Sequence, residues 1–434
     1  MSLSEFKQTE IGEIPKDWEV KKIGDNLVNL NSNSIKKNST MNKLDYYDTS
    51  AVYQGKFNKP ITYDVEDAPS RAKRLAKKGD ILISTVRPNQ KHYGYLKEVK
   101  SKDVFSTGFV VIESLNIDSK YLYYFLTSEI ITNLLHQIAE SHTSTYPSFK
   151  PSDILNLNIP YPSIAEQKVI AKILSNFDSK IELLQKQNKT LKEITKDIFK
   201  QWFIDFEFSN NEGESYKSSN GEMVEKESGE IPLGWELSII KKVCKKSTSG
   251  GTPSRNKKEF FDGKINWFKT KELTDSFLLE SEEKISEDAV NKSSAKLFPK
   301  NSVLMAIYAA PTVGRLGILN KDSTFNQAAC GFVVIKEMIT KEYLFLYLLA
   351  ERNNLNNLAN GAAQQNLSVD KVNNYPIVIP PKEIMDAFRN VTEKPFDKIL
   401  TNIKIIKYLQ KTKNLLLPQL MSGKIRVPME VENE

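Results

Sequence analysis

Two short runs in the sequence gather side chains suited to binding a polyanion. Arg87-Pro-Asn-Gln-Lys-His-Tyr93 follows directly on an apolar stretch, and Ser249-Gly-Gly-Thr-Pro-Ser-Arg-Asn-Lys-Lys258 packs glycines, hydroxyls, amides and cations together. Lys and Arg neutralise phosphates, while Arg, Asn, Gln and Lys offered at a groove read the edges of bases. Arg87, Gln90, Lys91 and Tyr93 are therefore candidate DNA contacts in the first run. In the second, Gly250 and Gly251 would let backbone approach a phosphate, with Thr252, Ser254, Arg255, Lys257 and Lys258 around them. A structural turn is the other reading of that run, which lacks the Gly-Lys-Ser/Thr ending of a nucleoside-triphosphate loop. Further candidates are Lys36 and Lys37, then Arg71, Lys73 and Arg74, then Thr145 and Tyr146 in the polar segment 141–149, and Trp267 with Lys269. For the lysine and arginine clusters a solvated charged face fits as well as contact.

Catalytic chemistry has thinner support. Asp80 followed by Glu98-Val-Lys100 imitates the carboxylates and lysine that hold a metal in many DNA-cutting folds, so a nuclease stands as one alternative. A purely coiled-coil scaffold is another, although it would not need two large domains with polar loops. A methyltransferase needs a glycine-rich cofactor loop and an Asn/Asp-Pro-Pro-aromatic motif; Pro380-Pro-Lys follows Ile379, and neither element is present. Three scattered histidines, His92, His136 and His142, do not make a hydrolytic triad. Cys244 and Cys330 are the only cysteines, which excludes a zinc finger or ribbon and a disulfide framework and fits a reducing cytoplasm. No metal site is expected.

The chain that must position these groups has 434 residues, too many for one ordinary core. Its net charge of +7 suits a nucleic-acid partner without demanding one. The start of the chain has no apolar signal core, and the apolar runs 303–310 and 343–350 are too short to span a bilayer. A cytoplasmic protein without a membrane partner is the expectation.

The sequence is written twice. Gly12-Glu-Ile-Pro-Lys-Asp-Trp18-Glu returns as Gly229-Glu-Ile-Pro-Leu-Gly-Trp235-Glu, and Gly108-Phe-Val-Val-Ile as Gly331-Phe-Val-Val-Ile. Lys78-Gly-Asp-Ile-Leu-Ile matches Lys300-Asn-Ser-Val-Leu-Met, Tyr121-Leu matches Tyr343-Leu, Ile159-Pro-Tyr-Pro matches Ile379-Pro-Pro, and Phe177-Asp matches Phe396-Asp. Ser302 then stands where Asp80 does, which weakens the nuclease reading. The repeat also nominates Tyr308 and Arg315, in the place of the Arg87 loop, and Gln364 and Gln365, in the place of the 141–149 loop.

Each half opens with an α+β domain. The runs 80–86 and 108–112 read as buried strands, and 119–137 as one amphipathic helix with Leu122, Phe125, Leu126, Ile130 and Leu134 on its inner face. A long helix follows. Ser163 and Glu166 form a capping box, and Ile170, Leu174, Phe177, Ile181, Leu184, Asn188, Leu191, Thr195 and Ile198 mark a heptad seam. A bundle core is the plainer reading, but the seam's length favours a coiled coil. In the second helix Ile399, Ile403 and Ile406 keep the spacing before Gln410 and Lys413 interrupt it; Pro395 either opens the helix or kinks it. The expected layout is a first domain over 1–162, a helix over 163–208 and a linker over 209–227. A second domain over 228–382, a helix over 383–426 and a tail over 427–434 complete it. So short a linker favours antiparallel helices, hence a dumbbell with a pseudo-two-fold axis. Two diverged readers held apart suit two unlike half-sites on duplex DNA, about one helical turn apart.

Several motifs resemble those of type I restriction–modification specificity subunits. Ile198-Phe-Lys-Gln-Trp-Phe-Ile-Asp-Phe-Glu207 is similar to the close of the family's central conserved region, and Leu415-Leu-Leu-Pro-Gln-Leu-Met-Ser-Gly-Lys-Ile425 to its C-terminal signature. Ile159-Pro-Tyr-Pro-Ser-Ile-Ala-Glu-Gln167 resembles its junction between recognition domain and helix; the second junction, Pro380-Pro-Lys-Glu-Ile-Met-Asp, lacks the Glu-Gln pair. The resemblance implies a non-catalytic, cofactor-free chain that reads an interrupted site in double-stranded DNA. It also implies two S-adenosylmethionine-dependent adenine-methylating partners and restriction subunits that use ATP and Mg. Phe199, Trp202, Phe203, Leu417, Leu420 and Met421, within the two signatures, are the partner-docking candidates.

Overall fold

The computed structural model describes residues 5–35, 41–142, 145–209, 213–227, 229–308, 311–358 and 367–428. The chain divides into two compact units, one formed by Met1–Glu182 with Tyr408–Glu434 and the other by Leu183–Lys407. Each unit holds one α+β copy of the repeat together with parts of both long helices.

The repeated Gly-Glu-Ile-Pro segments form equivalent hairpins. Phe6–Thr9 pairs antiparallel with Gly12–Pro15, and Met223–Lys226 with Gly229–Pro232. Gly12 and Gly229 share a φ of +102°, a conformation that excludes most side chains and explains the glycine at both turns. Met223–Lys226, expected as linker, is thus the outer strand of the second hairpin. Glu19–Lys22 then pairs with Asn158–Tyr161, and Glu236–Ile239 with Pro376–Ile379, so each domain is entered and left on neighbouring strands.

The apolar runs form the central strands, as their composition predicts. Ile81–Ser84 lies against Phe109–Ser114, and Val303–Ala306 against Ala329–Val334, all antiparallel. Tyr93–Tyr95 flanks the first pair and Leu316–Leu319 the second. A second sheet in the first unit contains Ala72–Leu75 and Asp103–Ser106, the latter parallel to Lys43–Tyr47. Such mixed pairing is that of an α+β domain.

One expected helix is two. Ser119–Leu126 stops where Thr127 Oγ1 donates to the Tyr123 carbonyl at 2.7 Å, and Glu129–His142 begins anew. The break turns the inner face by one residue. Ile131, Leu135 and Ala139 are buried, whereas Ile130 is 70% exposed and Leu134 38%.

The long helices span Ile164–Phe203 and Lys382–Met421. Along the first, every expected seam position is buried or half-buried, Asn188 included. In the second Met385, Phe388, Thr392, Phe396, Ile399, Asn402 and Leu420 are buried, and Ile403, Ile406, Leu409 and Leu416 half-buried. Asn402 thus joins Ile403 on the seam, and Leu409 faces inward where Gln410 is exposed. Pro395 lies inside the helix; Val391, whose carbonyl loses its usual partner there, is 41% exposed. Within each unit the helices run antiparallel. In the first, Lys413 Nζ donates to Asp178 Oδ1 at 2.6 Å while Arg426 reaches back to Glu166. In the second, Asn402 Nδ2 donates to Asn188 Oδ1 at 2.8 Å while Phe388 packs on Phe199 and Phe203.

The first helix start uses the Glu-Gln pair. The Ser163 hydroxyl caps the Glu166 N–H at 3.2 Å, but the Glu166 carboxylate turns to the Trp18 indole N–H at 3.0 Å rather than back to Ser163. Gln167 accepts the Asp118 N–H and donates to the Pro162 carbonyl, both at 2.9 Å. At the second start, where the polar pair is absent, Met385 and Phe388 are buried instead.

Candidate nucleic-acid interface

In the first unit the central strand Ile81–Ser84 ends in a loop whose backbone is bent twice into the left-handed region, at Arg87 (φ 46°) and Lys91 (φ 57°). A short turn, Pro88–Gln90, lies between them and leaves Asn89 and Gln90 exposed. The Arg87 N–H donates to the Pro147 carbonyl at 2.9 Å, Val86 bridges Ser148, and the Phe149 N–H donates to the Thr85 carbonyl. The two loops nominated separately from the sequence are therefore one structure. The Arg87 guanidinium sits 4.8 Å from the ring centre of Tyr146, which is 64% exposed, a cation–π contact that restrains it near the surface.

A third segment joins them that composition did not single out. The hairpin Val52–Tyr53 with Lys56–Phe57 packs on Gly94, where a Cβ would meet the Phe57 ring at 2.4 Å. The Gln54 N–H donates to the Lys91 carbonyl at 2.9 Å, and His92 Nδ1 bonds the Val52 carbonyl at 2.7 Å. Tyr53 is 51% exposed beside it. Tyr93 differs from the expectation of a surface contact. It is half-buried against Tyr123, and burial pushes its hydroxyl up to about 12. Arg71 and Lys73 are exposed on or beside the strand Ala72–Leu75, whereas Arg74 is half-buried, its Nε without a partner among the described residues. Thr145 is exposed.

In the second unit the glycine loop has a packing role. A Cβ on Gly250 would stand 2.1 Å from the Phe325 carbonyl oxygen, and one on Gly251 2.0 Å from that of Ser294. The pair lets three segments touch, which fits the structural turn, the other reading of this run. Trp267 is buried beneath, its indole N–H donating to the Gly251 carbonyl at 2.9 Å. Arg255 stacks over Phe261 and Trp267 at 4.2 and 5.0 Å and pairs with Glu283, which also takes Lys269. Both cations hold the Glu283 carboxyl below its ordinary range. Ser254, Lys257 and Lys258 are exposed, and the Thr252 hydroxyl donates to the exposed Gln327 side chain. Tyr308 is 36% exposed and Arg315 half-buried on the loop after Val303–Ala306. The Leu367 N–H donates to the Ile307 carbonyl at 2.9 Å, the counterpart of the Phe149–Thr85 bond at 3.1 Å. Lys36, Lys37, Gln364 and Gln365 lie outside the described residues.

Each domain thus carries a polar loop after a central strand, tied by main chain to a later segment. The family model described as type I restriction modification DNA specificity domain matches residues 15–193 and 232–416, once for each repeat. The chain belongs to that family. It is 32% identical over 440 residues to the MjaIX specificity subunit of Methanocaldococcus jannaschii, covering 98% of this chain and 97% of that one. It is 28% identical to the HindI specificity subunit of Haemophilus influenzae over 94% of this chain and all of the relative. The crystal structure of the type I restriction–modification S subunit from M. genitalium shares the fold at a TM-score of 0.56 and 15% identity, over 96% of this chain and 98% of that one.

This specificity subunit is the non-catalytic, DNA-recognising component of a type I restriction–modification complex, which also contains methylase and restriction subunits. The nuclease alternative has no support in the geometry. Asp80 is buried and accepts the Lys77 N–H of its own turn at 2.8 Å, a local cap, and burial raises its carboxyl. Among the described residues no cluster of three or more His, Cys, Asp or Glu could hold a metal, and no helix is long and apolar enough to cross a membrane. Four of the partner-docking candidates are committed internally: Phe199, Phe203, Leu420 and Met421 are buried in the cores of their own units. Trp202 and Leu417 are half-buried.

Proposed function

We propose that this subunit reads a bipartite, interrupted sequence in double-stranded DNA, one half-site to each unit, and so directs adenine methylation and restriction by its partners. The repeated loop pair carries this reading. In both units a polar loop after a central strand is hydrogen-bonded by main chain to a later segment of its own domain, by Phe149–Thr85 in one and Leu367–Ile307 in the other. Their exposed or half-buried side chains differ, Arg87, Gln90 and Lys91 against Tyr308, Arg315 and Gln327, so the half-sites should differ. The reading includes two methylating subunits that bind S-adenosylmethionine and restriction subunits that use ATP and Mg. Exposed apolar residues off the helix seam, Leu183, Ile194 and Ile405 in the second unit and Tyr408 and Leu415 in the first, are better placed to meet those partners than the buried aromatics. With a net charge of +7, the chain alone should bind DNA weakly and with strong salt dependence.

The test is a map of methylated bases in DNA exposed to this chain and its methylating partner. An interrupted motif of two unlike halves with methylated adenines is expected. A continuous motif, or methyl transfer by this chain alone, would overturn the proposal.

A further inference from the structure

Nine described residues other than glycine have positive φ, and five of them are Asn or Asp, the types that tolerate it best. Of the other four, three stand together in the loop cluster of the first unit: Gln54 at 47°, Arg87 at 46° and Lys91 at 57°. Glycine would relieve the strain at each position. The sequence instead keeps three long side chains with hydrogen-bond donors, and backbone strain concentrated in this way marks sites where the side chain is needed.

The cluster also has a shape. Tyr53, Gln54, Asn89, Gln90, Lys91 and His92 line a shallow, open concavity. It is preformed, because the Gln54 N–H donates to the Lys91 carbonyl at 2.9 Å and the Gly55 N–H to the Tyr93 carbonyl at 2.8 Å. Tyr53, Gln54, Asn89 and Gln90 are all exposed there. Three carboxamides at one concavity offer paired donors and acceptors, the pattern that meets N6 and N7 of adenine in the major groove.

We infer that this concavity reads one A·T pair of the half-site taken by the first unit, with Gln54 as the specificity-determining residue and Gln90 beside it. The inference rests on the two-half-site reading above. It is tested in the full methylating complex by mapping the motif for Gln54→Gly, which keeps the left-handed turn and removes the amide. A residue serving only the turn would give an unchanged map. The expected result is a melting temperature at or above that of the unaltered chain, with discrimination at one adenine position lost by about tenfold to a hundredfold. Gln54→Glu should move the preference at that position toward cytosine, whose amino group a carboxylate accepts. Asn26→Gly, at a left-handed position (φ 64°) outside the cluster, should leave the motif intact. An interrupted motif that is identical for Gln54→Gly, or weakened evenly at every position, overturns this inference alone. No interrupted motif from the unaltered chain overturns the parent reading and this one with it.

Discussion

The two places where a recognition domain meets its long helix occupy the same position in the repeat and are built from opposite materials. In the first unit Trp18 donates to Glu166, and Arg426 bridges Glu166 at 3.1 Å and both Asp17 oxygens at 2.9 and 2.8 Å. In the second unit Trp235 lies among Phe203, Phe206 and Phe208, and Phe203 meets Tyr343 and Phe388 edge-on at 4.8 and 4.7 Å. One junction is a polar network that runs from the buried Trp18–Glu166 pair out to the exposed Arg426 and Asp17. The other is an aromatic cluster held by contact area and ring geometry. A duplicated fold thus kept its geometry while its two copies adopted different interactions, one vulnerable to lost charge and the other to lost volume.

That contrast can be broken by substitution. The largest effect is expected for Phe203→Ala, which empties the centre of the aromatic cluster. It should cost about 3–5 kcal/mol, read by denaturant unfolding, with hydrogen exchange rising in the second unit only. Arg426→Ala comes next. It leaves the Glu166 carboxylate, whose side chain is 5% exposed, with Trp18 as its one remaining donor among the described residues, and should cost about 1–3 kcal/mol within the first unit. Equal exchange in both units for either variant would erase the distinction.

The smallest effect is acid sensitivity. The Arg426 guanidinium holds the Asp17 carboxyl below its ordinary value of 3.8. A carboxyl depressed in the folded state stabilises above its unfolded pKa, and that stability is lost as pH falls through the lower folded value. The first junction should therefore loosen below about pH 4 through this pair, an acid response that Arg426→Ala removes. Asp17 is 60% exposed, so the change will be small. Comparing acid titrations of the two chains by hydrogen exchange at the hairpin Phe6–Thr9 with Gly12–Pro15 would detect it; identical profiles would show that Arg426 acts only on Glu166.

Much of this architecture was legible in the sequence because it follows from short-range patterns. The duplicated Gly-Glu-Ile-Pro turn, the apolar central strands and the seam through Asn188 all came from spacing, and the motifs pointed to the family. What stayed hidden depends on contacts distant in sequence. Nothing near Gln54 shows that it will bond Lys91, and a Gly-Gly pair looks the same whether it faces a phosphate or the Phe325 carbonyl. The sequence does not show that the Trp267 N–H is taken by the Gly251 carbonyl. Periodicity points Ile130 and Leu134 inward because it does not register the Thr127 break. The place of Phe199 and Phe203 in the motif does not reveal that Phe388 and Tyr343 cover them.

The central claim is that the two units are independent readers of separate half-sites. Replacing residues 1–160 with the matching segment of a relative of different specificity tests it most directly, by mapping methylated adenines made by the chimaera with its partner. The account predicts that one half of the motif changes to the relative's and the other half stays as it was. A chimaera that methylates efficiently yet changes both halves, or neither, would contradict it.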